Sequence, residues 1–206
     1  GNSRNIVVSD QAGQSNIMSR LKSIGIQIEK NDPKIKKLLE EVKDREFIGY
    51  SYDGADASFE LLARRLIGEI PRYILINEYD VSVKKDSLGE IISHAKAQLE
   101  VDGQKILCEG QGNGPVNALD NAIRKNVNKL AKYSEYLKDL KLVDYKVRIL
   151  NTGTEAVTRV SIESTDSKGV NWFTIGVSPI IIDASFKALV DSLDYKLFKD
   201  KAPASL

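Results

Sequence analysis

Several common sources of chemistry are scarce in this chain. Among its 206 residues there is one cysteine, Cys108, one histidine, His94, one tryptophan and one methionine. A lone cysteine excludes an internal disulfide and any cysteine-based metal cluster, and suits a reducing compartment. A lone histidine cannot build a multi-histidine metal site, and no serine, histidine and acid triad can be assembled around it. An excess of one charge is also missing: 30 basic against 29 acidic residues leave +1, so no net field draws nucleic acid or an anionic membrane. No apolar run approaches the ~20 residues of a membrane span and no signal peptide is expected, which makes the cytoplasm the expected setting. What remains is 42% hydrophobic and 29% charged, the balance of a globular protein able to bury a core in one or two domains.

The first third reads as helices punctuated by glycine. QSNIMSRLKSIGI sets Ile17, Leu21 and Ile24 on one face and ends at Gly25, a C-cap type. In NDPKIKKLLEEVKDRE, Asn31 or Asp32 can cap, Pro33 fits the first helical position, and Ile35, Leu38, Leu39 and Val42 form an apolar stripe. The adjacent Glu40 and Glu41 fall on the polar side and read as solvated charges. ADASFELLARRLIGEI groups Phe59, Leu62 and Leu66 before Gly68. Three short helices with little shared core predict a connector, residues 1–70, that packs on something else.

From Tyr73 the period changes to two. Tyr79, Val81 and Val83 alternate with Asp80, Ser82 and Lys84, as a half-buried strand requires. Strands follow at HAKAQLEV, which holds His94 as a surface or packing residue, and at KILC, where Cys108 reads as a small buried side chain. A helix then places Leu119, Ile123, Val127 and Leu130 on one face. This order occurs twice. A shift of 66 lays Tyr79 on Tyr145, Val81 on Val147, Gly103 on Gly169, Gly110 on Gly176, Ala118 on Ala184 and Ala122 on Ala188, the mark of an internal duplication. The same shift sets Ile106 on Trp172, which reads as packing over a sheet. Between the hairpins the register slips, since Ala97 and Leu99 match Val160 and Ile162 at a shift of 63. GTE at 153–155 reads as a turn. The predicted fold is α+β: two pseudo-twofold-related units of three strands and a helix over residues 71–206, preceded by the helical connector.

The glycine-rich loop GQGNGPVNALDNAI at the first strand-to-helix turn suggests a nucleotide site only superficially. Gly110, Gly112 and Gly114 are evenly spaced, not arranged as G-x-G-x-x-G, and the phosphate-loop lysine with its following Ser or Thr is absent. Two readings survive. Free amides at the helix start favour a small carboxylate, or the glycines only permit a tight turn through positive φ. The second copy, GVSPIIIDASFKAL, keeps a proline but replaces the glycines by Ile180 to Ile182. One amide-rich wall and one branched-aliphatic wall, brought together within a chain or across a dimer axis, would suit an aliphatic amino acid.

GQGNGPVNALDNAI, LVDYKVRILNTGTEAVTRVSIES and GVSPIIIDASFKALVDSLDYKL together resemble the C-terminal allosteric domain of the 2-isopropylmalate synthase and citramalate synthase family, over residues ~71–200. Upstream, GNSRNIVVSDQAGQSNI and FIGYSYDGADASFELLARR resemble the connector that follows the catalytic barrel, the latter most like the citramalate branch. The resemblance implies a homodimeric acyltransferase. Its (β/α)₈ barrel uses a divalent metal held by a pair of histidines to condense acetyl-CoA with a 2-keto acid, pyruvate for citramalate synthase, and its C-terminal domain binds the end product. A barrel takes ~250 residues, so this chain is expected to be the regulatory part, inactive alone, without cofactor, and joined to that barrel in one polypeptide.

A feedback effector such as isoleucine has three needs. Its carboxylate is assigned to the amides of Asn113, Gly114 and Val116 around Pro115, with those after Ser178 as the alternative. Asp144 or Asp183 is assigned the ammonium. Apolar walls are assigned to Val116, Tyr145, Ile180 and Ile182. Two other readings stand beside this one: a leucine-binding domain of 2-isopropylmalate synthase, and a dimerisation module without a ligand.

Overall fold

A computed structural model describes residues 2–152 and 155–206. It begins with three helices, α1 (Asn2–Ser23), α2 (Pro33–Phe47) and α3 (Asp56–Ile67). Asp32 caps α2 by accepting from the Lys34 amide, with Pro33 in the first turn, where a missing N–H costs nothing. Its buried stripe is Ile35, Leu38, Leu39 and Val42. Gly68 ends α3 in the left-handed region, at φ 85°. The sequence suggested little shared core among these helices, and here the structure differs. Ile17, Leu21, Leu38, Tyr52, Phe59 and Leu62 form one cluster, and Ile175 from a later strand joins it. The loops supply what helix periodicity hides: Tyr52 lies outside every helix and is buried.

Two antiparallel sheets follow, each with its own helix. The first contains β1 (Leu75–Lys85), β2 (Ile91–Val101) and β3 (Gln104–Gly112), then α4 (Pro115–Arg124). Two short 3₁₀ turns, Val127–Lys129 and Ala131–Tyr133, and a one-turn helix α5 (Ser134–Leu137) lead to β4 (Lys141–Thr152), β5 (Glu155–Thr165), β6 (Asn171–Ser178) and α6 (Ile181–Lys199). The expected α+β fold is therefore present. The turn read at 153–155 includes Gly153 and Thr154, which lie outside the described residues.

The duplication extends to irregularities. A bulge interrupts β1 between Ile76 and Glu78, and another interrupts β4 between Leu142 and Asp144, the same place in each unit. The pairing also corrects the register of the middle strands. Tyr79 faces Ala97 and Tyr145 faces Ile162, so Ala97 corresponds to Ile162, a shift of 65 and not 63. One residue is lost in the first hairpin and regained in the second, which keeps every inward side chain inward.

The helix of the first unit is shorter than its apolar pattern implied. It stops at Arg124 because the Asn126 side chain donates to the Ala122 and Glu109 carbonyls, a local bond that competes with the helical ladder. Leu130 still reaches the common core, and Val127 packs against it. That core joins both units: Leu99, Leu119 and Ile123 of the first share it with Ile162, Trp172 and Leu189 of the second. Each helix thus covers its own sheet and touches the other helix.

The glycines at the ends of β3 and β6 have a packing role. A Cβ at Gly110 would lie 2.3 Å from the Ala122 nitrogen, and one at Gly176 would lie 2.0 Å from the Ala184 carbonyl oxygen. Gly110, Gly112 and Gly176 therefore exist so that α4 and α6 can sit directly on strand backbone. None of the three has a positive φ, so the turn-permitting explanation does not apply.

Candidate functional site

The start of α4 and the beginning of β4 enclose a cavity of about 400 Å³, lined by Gly114, Pro115, Val116, Asn117, Asp120, Leu142, Tyr145 and Ile181. Its floor is apolar, with Leu142, Val116, Pro115 and Ile181 on the walls. Its polar groups converge from α4. As at any helix start, the first-turn amides lack intrahelical acceptors and carry partial positive charge. Asn117 already accepts from the Asn113 amide at 3.3 Å, closing the loop from behind. Asp120, 5% exposed, is held by Arg124 one turn on, which gives a buried carboxylate a charged partner in an otherwise greasy place. The Tyr145 hydroxyl lies 3.1 Å from the Ser185 hydroxyl, and burial pushes its phenol above the usual value.

The duplication is imperfect at this place. In the second unit Phe186 occupies the repeat position of Asp120, and it stacks on Tyr79 with ring centroids 4.3 Å apart. The equivalent pair, Asp120 and Tyr145, borders the open cavity instead, while Phe186 lines a separate hollow of about 700 Å³ with Ile76, the repeat equivalent of Leu142. The Tyr79 hydroxyl adds a bond to Asp183 at 3.2 Å. Asp183 also pairs with Lys187 at 3.0 Å. Burial pushes the Asp183 carboxyl up, but bonds from Ser178, Lys187 and Tyr79 outweigh it and hold it below the usual carboxylate range. Its charge is thereby consumed within the turn.

Of the candidate residues, Gly114, Pro115, Val116 and Tyr145 line this one cavity. The others do not. Asn113 has its amide on Asn117. Asp144 sits at the β4 bulge, accepting from the Tyr145 amide at 2.8 Å and facing Lys146 at 3.4 Å. Ser178 accepts from the Ile180 amide, and Ile180 is 63% exposed at the N-cap of α6. Ile182 follows one residue past the wall residue Ile181. Asn117, Asp120, Leu142 and Ile181 complete the lining and were not foreseen. For Asp120 a signal was available: an acid stands where the repeat has phenylalanine.

Residues 53–197 match the family described as the LeuA allosteric (dimerisation) domain. The chain belongs to this family. Over 206 residues it is 46% identical to an (R)-citramalate synthase of Aquifex aeolicus (strain VF5), covering 98% of the chain and 38% of that relative. An (R)-citramalate synthase of Geobacter sulfurreducens is 41% identical over 204 residues, again 98% of the chain and 38% of the relative. A probable 2-isopropylmalate synthase of Methanopyrus kandleri is 25% identical over 196 residues, 92% of the chain and 36% of the relative. The chain thus spans less than two fifths of these relatives' length. It is an allosteric domain of the citramalate synthase family. Among the described residues no group of His, Cys, Asp and Glu stands together to hold a metal, and no helix is long and apolar enough to cross a membrane.

Proposed function

We propose that this LeuA-type domain binds a branched-chain amino acid, isoleucine, in the cavity at the start of α4, and that it is the dimerising, feedback-sensing part of a citramalate synthase. Residues 1–70 serve as the connector to a metal-dependent barrel that condenses acetyl-CoA with pyruvate, and residues 71–206 carry the effector. The observation that carries this reading is the open cavity beside Tyr145, where the Asp120 carboxylate, helix-start amides and branched aliphatic walls meet. Asp120 takes the ammonium. The amides of Gly114, Val116 and Asn117 receive the carboxylate, and Val116, Leu142 and Ile181 hold the side chain. Binding regulates because the effector prefers one arrangement of the dimer; equal affinity for both would shift nothing. A coupling of ~1–3 kcal/mol is the usual scale.

Calorimetric titration with isoleucine, leucine and valine tests this directly. Saturable binding with isoleucine preferred is expected, and Asp120→Asn should weaken it by about tenfold or more, as loss of one charge-assisted bond implies. Preference for leucine would move the chain to the 2-isopropylmalate branch. No binding of any of the three would leave a dimerisation module.

A further inference from the structure

The outward face of the second sheet carries an arrangement of charge that the effector cavity does not use. Arg148 of β4 and Arg159 of β5 are directly opposite one another across the antiparallel pair, and like charges so placed destabilise a sheet. Beside them, Lys146 faces Ser161. These four side chains, with Ser51 and Asp53 from the loop between α2 and α3, line a cavity of about 250 Å³. Compensation is incomplete. Lys146 has Asp144 at 3.4 Å, and Arg159 spends its Nε–H on the Gly49 carbonyl at 2.7 Å. Arg148 has no carboxylate in ion-pair range among the described residues. Burial, together with the charge of Arg148, holds Arg159 below its usual pKa. Two guanidinium forks and two hydroxyls therefore converge as donors on one small space.

We infer that this cavity is an oxyanion site for a phosphate group, free or carried as a monoester by a small molecule. Donors arriving from two strands and a loop suit a tetrahedral anion, whereas a planar carboxylate is satisfied by one guanidinium fork. Asp53 supplies an acceptor for the proton that a phosphate partly retains near neutral pH, a partner that a carboxylate ligand does not offer. An anion between the two arginines turns their repulsion into a bridge. Because Arg159 also grips Gly49 and Ser51 belongs to the same loop, occupancy clamps the segment between α2 and α3 to the second sheet. The stability of that attachment then depends on phosphate, independently of any amino acid in the other cavity.

Thermal melting of the full chain at constant ionic strength, with and without inorganic phosphate, is the test, and Arg148→Gln is the deciding variant because Arg148 is exposed and outside the core. Without phosphate the variant is expected to melt at or above the parent temperature, since a like-charge pair has been removed. With phosphate the order reverses, and the calorimetric affinity for phosphate falls about tenfold or more in the variant. Ser161→Ala, which alters no charge, should weaken phosphate binding as well. A general salting effect raises both proteins equally, so parallel shifts of parent and variant would overturn the site, as would equal protection by acetate. Glycerol 3-phosphate identifies the source: binding tighter than that of inorganic phosphate assigns the site to a monoester, and weaker binding assigns it to the free ion.

Discussion

Gly110, in β3, and Gly114, at the N-cap of α4, stand four residues apart and have opposite physical roles. A methyl at Gly110 would meet the Ala122 backbone at 2.3 Å, whereas one at Gly114 would have nothing within 4 Å. Gly110→Ala should therefore destabilise the domain by about 3 kcal/mol or more, because helix backbone cannot yield as a side chain can. Gly114→Ala should leave the denaturation midpoint unchanged and weaken isoleucine binding, since the new methyl enters the cavity proposed for the effector. Equal midpoints for the two variants would refute the packing explanation, and unchanged affinity in Gly114→Ala would refute the placement of the ligand. At this scale the sequence was legible where a side chain reports its own surroundings. Cys108 is fully buried and its thiol is pushed up by that burial, and Trp172 is 3% exposed over its sheet. It was not legible where a residue serves another's backbone: spacing cannot distinguish a glycine that bends the chain from one that admits a helix.

Between elements, the join of α3 to α6 and β6 rests on a small polar group. Arg65 bridges Asp191 at 2.9 Å and Asp194 at 2.8 Å. Ser58 donates to Asp191 at 2.8 Å and accepts from the Ile175 amide at 2.9 Å. Two carboxylates share one guanidinium, and burial pushes the Asp194 carboxyl up to about 7 despite Arg65. The folded state then holds a proton that the unfolded chain has released. Stability from this group is full below the ordinary carboxylate range, near pH ~4, and is lost as pH rises towards 7. Asp194→Asn should flatten that slope in chemical denaturation at a series of pH values, and an unaltered slope would show that the group titrates normally. None of these contacts could be read beforehand, since they join positions more than a hundred residues apart. Strands and helices fared better because periodicity is local. The helix around Leu119 was overextended for the complementary reason, its apolar stripe running on through Val127 and Leu130 while Asn126 broke the backbone ladder.

Across the whole molecule, the duplicated unit was visible because its matches are spread over the length of the repeat, whereas the cavity was only half visible. Val116 and Tyr145 belong to different units, and nothing in a linear reading says that Asp120 and Leu142 lie between them. If the cavity is the effector site, its ligand must stabilise the fold by mass action. Isoleucine at a hundred times its dissociation constant should add about 2.7 kcal/mol to the unfolding free energy. Light scattering alongside should report a dimer, as the family description leads one to expect; a monomer unaffected by isoleucine would remove the regulatory reading.

The stacking of Phe186 on Tyr79 also makes the two halves of the duplicated domain unlike. Two copies of the same unit would by themselves offer two equivalent chambers, yet one is bordered by an aromatic ring where the other has a carboxylate. A ligand matched to the carboxylate side does not find the same contacts on the aromatic side, so on the binding mode proposed above a symmetric pair of chains would take up two molecules of isoleucine in these cavities instead of four.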